Sequence, residues 1–359
     1  MAKKKSRKNR KKRVFILIIA LFFTTVLFAT TTYAWFTANK TVRVERLTVN
    51  VEAQNGIQIS TDAVNWKALI QKQDIINAVT LYSNAVNQVP TTMEPVSTVG
   101  TIDNDGHLEM FYGEVTSDDG GNYVLKASKE TETNSTADAA PGKYIAFDLF
   151  FKVTAESPLK MTKNSGVTLE DGYVNGIQNA ARMGFVILGN KPSSTAYTEL
   201  QAMGTYDPDG GEADTRTRYI WEPNYDVHTG AAVQHALVNY NQATTVGPGA
   251  DRLKYQGVKA VIPANTPALV RTDMSADSEH TYVDDYPAFF GDVEPEYKTV
   301  AGFTQEFGIF TLQPGVTKVR VYMWIEGQDV DCENDASGGK INFDIEITTP
   351  TENTEQSNP

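Results

Sequence analysis

The chain has 359 residues, 41% hydrophobic and 10% aromatic, with a formal net charge of -12. Such a composition can bury a sizeable core, which excludes disorder as the dominant state, and the length allows one large or two ordinary domains. The charge is unevenly spread: residues 1–13 hold nine Lys and Arg and no acid, so the remainder is more acidic than the total indicates. An acidic body lacks the basic patch that binding a phosphate backbone requires, which excludes nucleic acid as a partner. The single cysteine, Cys332, excludes an internal disulfide framework and any multi-thiolate metal site.

The basic cluster from Lys3 to Arg13 precedes an apolar run, Val14 to Ala29, that carries no charge. This order is that of an export leader, held on the cytoplasmic side by its positive end. Thr32 and Ala34 place small side chains where a signal peptidase makes contact, so the expected mature chain starts at Trp35. The alternative is an uncleaved anchor: residues 14–36 form an uncharged stretch of 23, and about 20 suffice to span a bilayer. In both readings the acidic body is secreted or held at the cell surface, and the leader is its one membrane contact. The expected organisation is a leader over 1–34, a β domain over 35–347 with the option of two packed subdomains, and a polar tail over 348–359.

The first strand is expected directly after the leader. Val42 and Val44, then Leu47, Val49 and Val51, alternate with polar residues in two phases, and the slip at Glu45 and Arg46 predicts a bulge. A short strand is predicted at 56–60 after an Asn-Gly turn. Further strands are expected over 108–115, 122–127, 144–154, 183–188, 219–221, 257–262, 303–312, 318–326 and 340–347, most of them rich in Val, Ile, Phe and Tyr. Helical signals are few: 67–86 reads as one or two helices around Leu69, Ile70, Ile75, Ile76 and Val79, and 174–182 as a turn of another. No alternation of strand and helix suggests a parallel doubly wound sheet. The fold class expected is therefore all-β: an antiparallel, jelly-roll-like β-sandwich with long polar loops.

The block Thr32-Tyr33-Ala34-Trp35-Phe36-Thr37-Ala38-Asn39, set between a basic-hydrophobic leader and a Val-rich strand, resembles the start of the TasA and camelysin group of exported fibre proteins. The stretch from Val321 to Asn334 looks like the C-terminal strand and acidic turn of large relatives with such leaders. The resemblance implies a dedicated signal peptidase of the SipW kind and a jelly-roll subunit that polymerises with itself into cell-surface or biofilm-matrix fibres. It also implies a donor strand: once freed, Val42, Val44, Leu47, Val49 and Val51 fill a neighbouring subunit's core while the backbone completes that subunit's ladder. A head-to-tail contact of this sort propagates into filaments. Strand chemistry alone is equally compatible with the segment folding into its own sheet.

Signatures of catalysis are missing. The four histidines, His107, His228, His235 and His280, form no His-Glu-x-x-His motif, so the metallopeptidase label attached to camelysin relatives finds no zinc signature. His228 and His235 are seven apart, but Gly230 and Pro223 favour a loop there. No Gly-x-Ser-x-Gly elbow exists, and Cys332 in its acidic surround makes a poor nucleophile. The chain reads as a non-enzyme without a cofactor, with calcium as the one metal to consider. Asp329, Asp331, Glu333 and Asp335 alternate as ligands in calcium loops do, although Asn334 stands for the turn glycine and Lys340 for the closing Glu. Asp207, Asp209, Glu212 and Asp214 form a second acidic turn. For a glycan, where aromatic faces stack on sugar rings, Trp221 is the candidate ligand-binding residue, whereas Trp324 lies within an apolar strand and reads as core. The second functional reading is accordingly an anchored surface module that binds glycan or calcium.

Overall fold

The first strand, β1 (Val42–Glu52), runs parallel to the last, β19 (Lys340–Thr348), with a register shift between Val44 and Arg46 at the expected bulge. The extra residue matters because side chains alternate across a strand. It lets the set Val42 and Val44 face the same way as the out-of-phase set Leu47, Val49 and Val51. The computed structural model describes residues 41–52, 57–77, 82, 85–117, 123–132, 142–170, 175–240, 245–267, 286–332 and 338–349. Thr32, Ala34 and Trp35, with the rest of the leader and the tail beyond 349, lie outside the described residues.

Two sheets form the sandwich. One has the order β17 (Phe307–Leu312), β9 (Ser157–Met161), β19, β1 and β3 (Leu69–Ile70), with β10 (Gly166–Leu169) also on β19 and β5 (Thr92–Met93) also on β1. The other has the order β16 (Tyr297–Thr299), β12 (Thr217–Pro223), β11 (Ala181–Lys191), β18 (Gly315–Ile325), β8 (Ile145–Val153) and β2 (Gln58–Ser60), with β4 (Asn87–Gln88) on β8. Pairing is antiparallel apart from β1 with β19 and β12 with β16. The main core lies between the sheets. Leu47, Val49, Val51, Phe343 and Ile345 meet Phe147, Leu149, Met183, Phe185, Val321 and Met323 there.

The central strands of the second sheet, β8 and β18, are buried on both faces. Every residue of β18 is inaccessible, which is how a continuous apolar run reads when a layer covers each side. On the outer face of the sheet Tyr322, Trp324 and Val186 pack under Val96, Leu108 and Met110. Gly184 makes room for the indole, since a Cβ there would lie 3.2 Å from the Trp324 ring. Beyond lies a small sheet of β14 (Ile262–Pro267), β7 (Tyr123–Glu130) and β6 (Met110–Ser117), and the pair β13 (Gln256–Val258) and β15 (Phe290–Asp292).

The helices differ from expectation. In 67–86 the described helix is only α1 (Lys72–Asn77), because Leu69 and Ile70 pair with Glu52 and Val51 of β1 as a strand. Tertiary pairing there overrides local periodicity. A five-residue helix, α2 (Tyr197–Gln201), and a 3-10 turn at Ile177–Ala180 add little. His228 lies in the expected loop, but α3 (Gly230–Tyr240) begins two residues later, at the glycine read as a breaker, and carries His235. Its Ala232 and Ala236 pack against Leu253 and Val330. No helix among the described residues is long and apolar enough to cross a membrane.

Candidate functional site

The ladder between β1 and β19 runs from Arg43 opposite Lys340 to Val51 opposite Ile347. Val42, Leu47, Val49 and Val51 are buried and Val44 packs half-buried against the same core. The segment read as a donor strand therefore occupies a place in its own sheet in the single chain. On the solvent side Arg46 holds Asp344 with two bonds, Nε to Oδ1 at 3.1 Å and Nη2 to Oδ2 at 2.5 Å, and Glu45 Oε1 lies 3.0 Å from Lys340 Nζ. The opposite edge of β1 is held only near its ends. Val42 and Arg43 pair with Met93 and Thr92, and Val51 and Glu52 with Ile70 and Leu69. Among the described residues no strand pairs with residues 45–50 on that edge.

The acidic turn after β18 faces inward. The Arg182 guanidinium, buried opposite Trp324, bonds Glu222 Oε1 at 2.9 Å and forms an ion pair with Asp329. Arg252 Nε completes the set on Glu222 Oε2 at 2.6 Å, and Asp329 Oδ1 accepts the Asp331 N–H at 2.8 Å. Asp331 in turn accepts from His228 Nδ1 at 2.8 Å and from the Thr229 N–H at 3.3 Å. His228 Nε2 stands 2.9 Å from the Asp251 carbonyl, which can only accept, so both ring nitrogens face acceptors. Burial works against the charged imidazole, but the Asp331 carboxylate outweighs it and raises His228 above its ordinary value. The oxygens of Asp329 and Asp331 are thus taken up by Arg182, His228 and backbone N–H groups rather than turned toward a shared cation. Glu333 and Asp335 lie outside the described residues. In the second acidic turn Asp207 accepts the Asp209 N–H at 3.0 Å and Asp214 pairs with Arg216 at 2.8 Å. Among the described residues no group of three His, Cys, Asp or Glu is placed to hold a metal ion.

Trp221 corrects the glycan expectation for that residue. It is 1% exposed, its Nε1 donates to Thr299 Oγ1 at 3.0 Å, and its ring packs on Phe303 and Phe307. A stacking platform needs an open face, and this indole has none. The local sequence misleads because Tyr219 and Tyr225 look like a surface aromatic patch, whereas β12 is sandwiched between β11 and β16. Trp324 is buried, as the apolar strand around it indicates.

A cluster that the sequence reading missed lies on the outer face of the second sheet. Asp148 of β8 stands opposite Arg320 of β18, and Arg320 grips it with Nε to Oδ1 at 2.7 Å and Nη2 to Oδ2 at 3.1 Å. Tyr82 Oη donates to Oδ2 at 3.0 Å and the Val86 N–H at 3.3 Å. Lys318 Nζ lies 3.4 Å from the same oxygen and donates to the Gln201 carbonyl at 2.8 Å. Burial pushes Asp148 up, but Arg320 and Lys318 override it and hold the carboxyl down at about 2. Burial lowers Lys318. A signal was available: Asp148 is a lone acid inside the apolar run from Tyr144 to Phe151, which is unfavourable unless a cation meets it.

No family model, curated protein or solved structure matches the chain.

Proposed function

We propose that the chain is an exported structural protein, a subunit of extracellular or cell-surface fibres of the biofilm-matrix kind, in which copies exchange β1. The observation that carries this reading is the position of β1. Among the described residues it is the first strand, lies next to the expected leader in sequence, and runs parallel to the last described strand with its far edge held only near the two ends. Withdrawing β1 breaks its ladder with β19 and only short pairings with β3 and β5, and the vacated edge of β19 is matched in register to the β1 of any other copy. Open-ended exchange of this kind is heterologous and builds filaments. The resemblance of the leader and aromatic block to the TasA and camelysin group supports the same reading, with removal of the leader as the event that frees β1.

Two measurements test the proposal together. The mature N-terminus is expected at Trp35 by mass spectrometry, and electron microscopy of that form is expected to reveal filaments. An intact Met1 in the membrane fraction, or monodisperse particles at every concentration and pH, would refute it.

A further inference from the structure

Lys318 and Asp148 meet across β18 and β8 in a place shielded from water. Lys318 is 1% and Asp148 4% exposed, and the Lys318 Nζ sits 5.3 Å from the Tyr82 ring centre and 5.6 Å from that of Phe150. Two cations share one acid here: among the described residues Asp148 is the sole carboxylate in ion-pair reach of Lys318 or Arg320. A buried cation is costly, and burial lowers Lys318 from its ordinary value although Asp148 acts against that shift. Lys318 is the group that yields, because a guanidinium stays charged. Lys318 Nζ is held there by the Gln201 carbonyl at 2.8 Å and stands 3.4 Å from a carboxyl oxygen.

We propose that Lys318 and Asp148 condense into an intramolecular amide that staples β18 to β8. Lys318 Nζ attacks the Asp148 side-chain carbon, the new C–N bond forms, and one C–O bond breaks. The Lys318 ammonium supplies both protons that leave with the departing carboxylate oxygen as water, one passing to the carboxyl before Nζ attacks and one after, so no oxidant, cofactor or further reactant takes part. An ionised carboxylate resists attack in water. Here the Arg320 fork withdraws charge from both oxygens and stabilises the negative charge that grows on them, and the Tyr82 hydroxyl bonds the oxygen nearest the amine. Positioning supplies the remainder, since the two groups are fixed on adjacent, fully buried strands. The bond gives this single-cysteine chain a covalent cross-link that disulfide chemistry cannot provide.

Mass spectrometry of the full chain, purified and denatured, tests the assignment. The intact mass is expected to be lower by one water than that of the uncross-linked linear chain. Trypsin is expected to leave peptide 144–152 joined to peptide 299–320 through an uncleaved Lys318, and Lys318→Arg is expected to restore the full mass. Recovery of 144–152 and 299–318 as separate linear peptides, or a water loss that persists in Lys318→Arg, would overturn the proposal. The wild-type peptides decide the matter even if the variant fails to fold.

Discussion

Leu47 of the first strand stands opposite Phe343 of the last in a parallel ladder, and both side chains enter the core between the sheets. Chain ends separated by almost the whole sequence are thereby neighbours. Truncating either residue leaves a void where the two sheets meet. Leu47→Ala is expected to lower stability by about 2–5 kcal/mol and Phe343→Ala by about 3–5 kcal/mol. Because the two residues are register partners, the double variant is expected to lose less than the sum, as read by urea unfolding.

Glu326 contributes to the response to pH, alongside Asp331, whose carboxyl burial pushes up to about 6. Burial pushes the Glu326 carboxyl up to about 7, only partly offset by hydrogen bonds that include the Trp324 Nε1–H at 3.1 Å and the Gln328 N–H at 3.1 Å. The folded state therefore holds this proton more tightly than the unfolded state, whose carboxyl titrates near 4.5. Its contribution is complete below pH 4.5 and is lost as pH rises through 7. His228, also raised, acts in the same direction as pH climbs past its folded value. Denaturant unfolding of the wild type is expected to show stability falling by roughly 2–4 kcal/mol from mildly acidic to neutral pH. Glu326→Gln is expected to flatten that limb, and an unchanged slope would contradict the assignment.

Gly257 of β13 packs closely beneath the segment at Ser97 and Thr98. A Cβ there would lie 2.3 Å from the Thr98 carbonyl oxygen and 2.8 Å from the Val293 side chain, while the Val258 N–H donates to Ser97 Oγ at 3.0 Å. Backbone cannot yield as a flexible side chain can. Gly257→Ala is expected to cost about 1–3 kcal/mol by thermal unfolding, from overpacking.

The strand framework was legible because side-chain alternation is local. The phase slip at Glu45 announced the bulge, and the apolar runs at Phe147 and Val321 announced the strands that carry the core. What lay hidden depends on contacts far apart in sequence. Lys318 and Arg320 alternate with valines as if facing solvent, but the layer holding Val96, Leu108 and Met110 covers that face. Trp221 reads as a surface aromatic for want of any local sign of β16. The parallel pairing of β1 with β19 leaves no trace in either segment. Asp329 and Asp331 have calcium-loop spacing, and only the fold reveals that Arg182 and His228 meet them.

Exchange of β1 between copies is tested most directly by a cross-link that distinguishes one chain from two. Thr48 and Asp344 are register partners, and cysteines on adjacent strands lie within disulfide reach. Mature chains carrying Thr48→Cys are mixed with chains carrying Asp344→Cys, allowed to assemble, oxidised and run on a non-reducing gel. The account predicts covalent pairs containing one chain of each kind, accumulating with the filaments. Absence of such pairs from the mixture, while a single chain bearing both cysteines closes on itself, would contradict it.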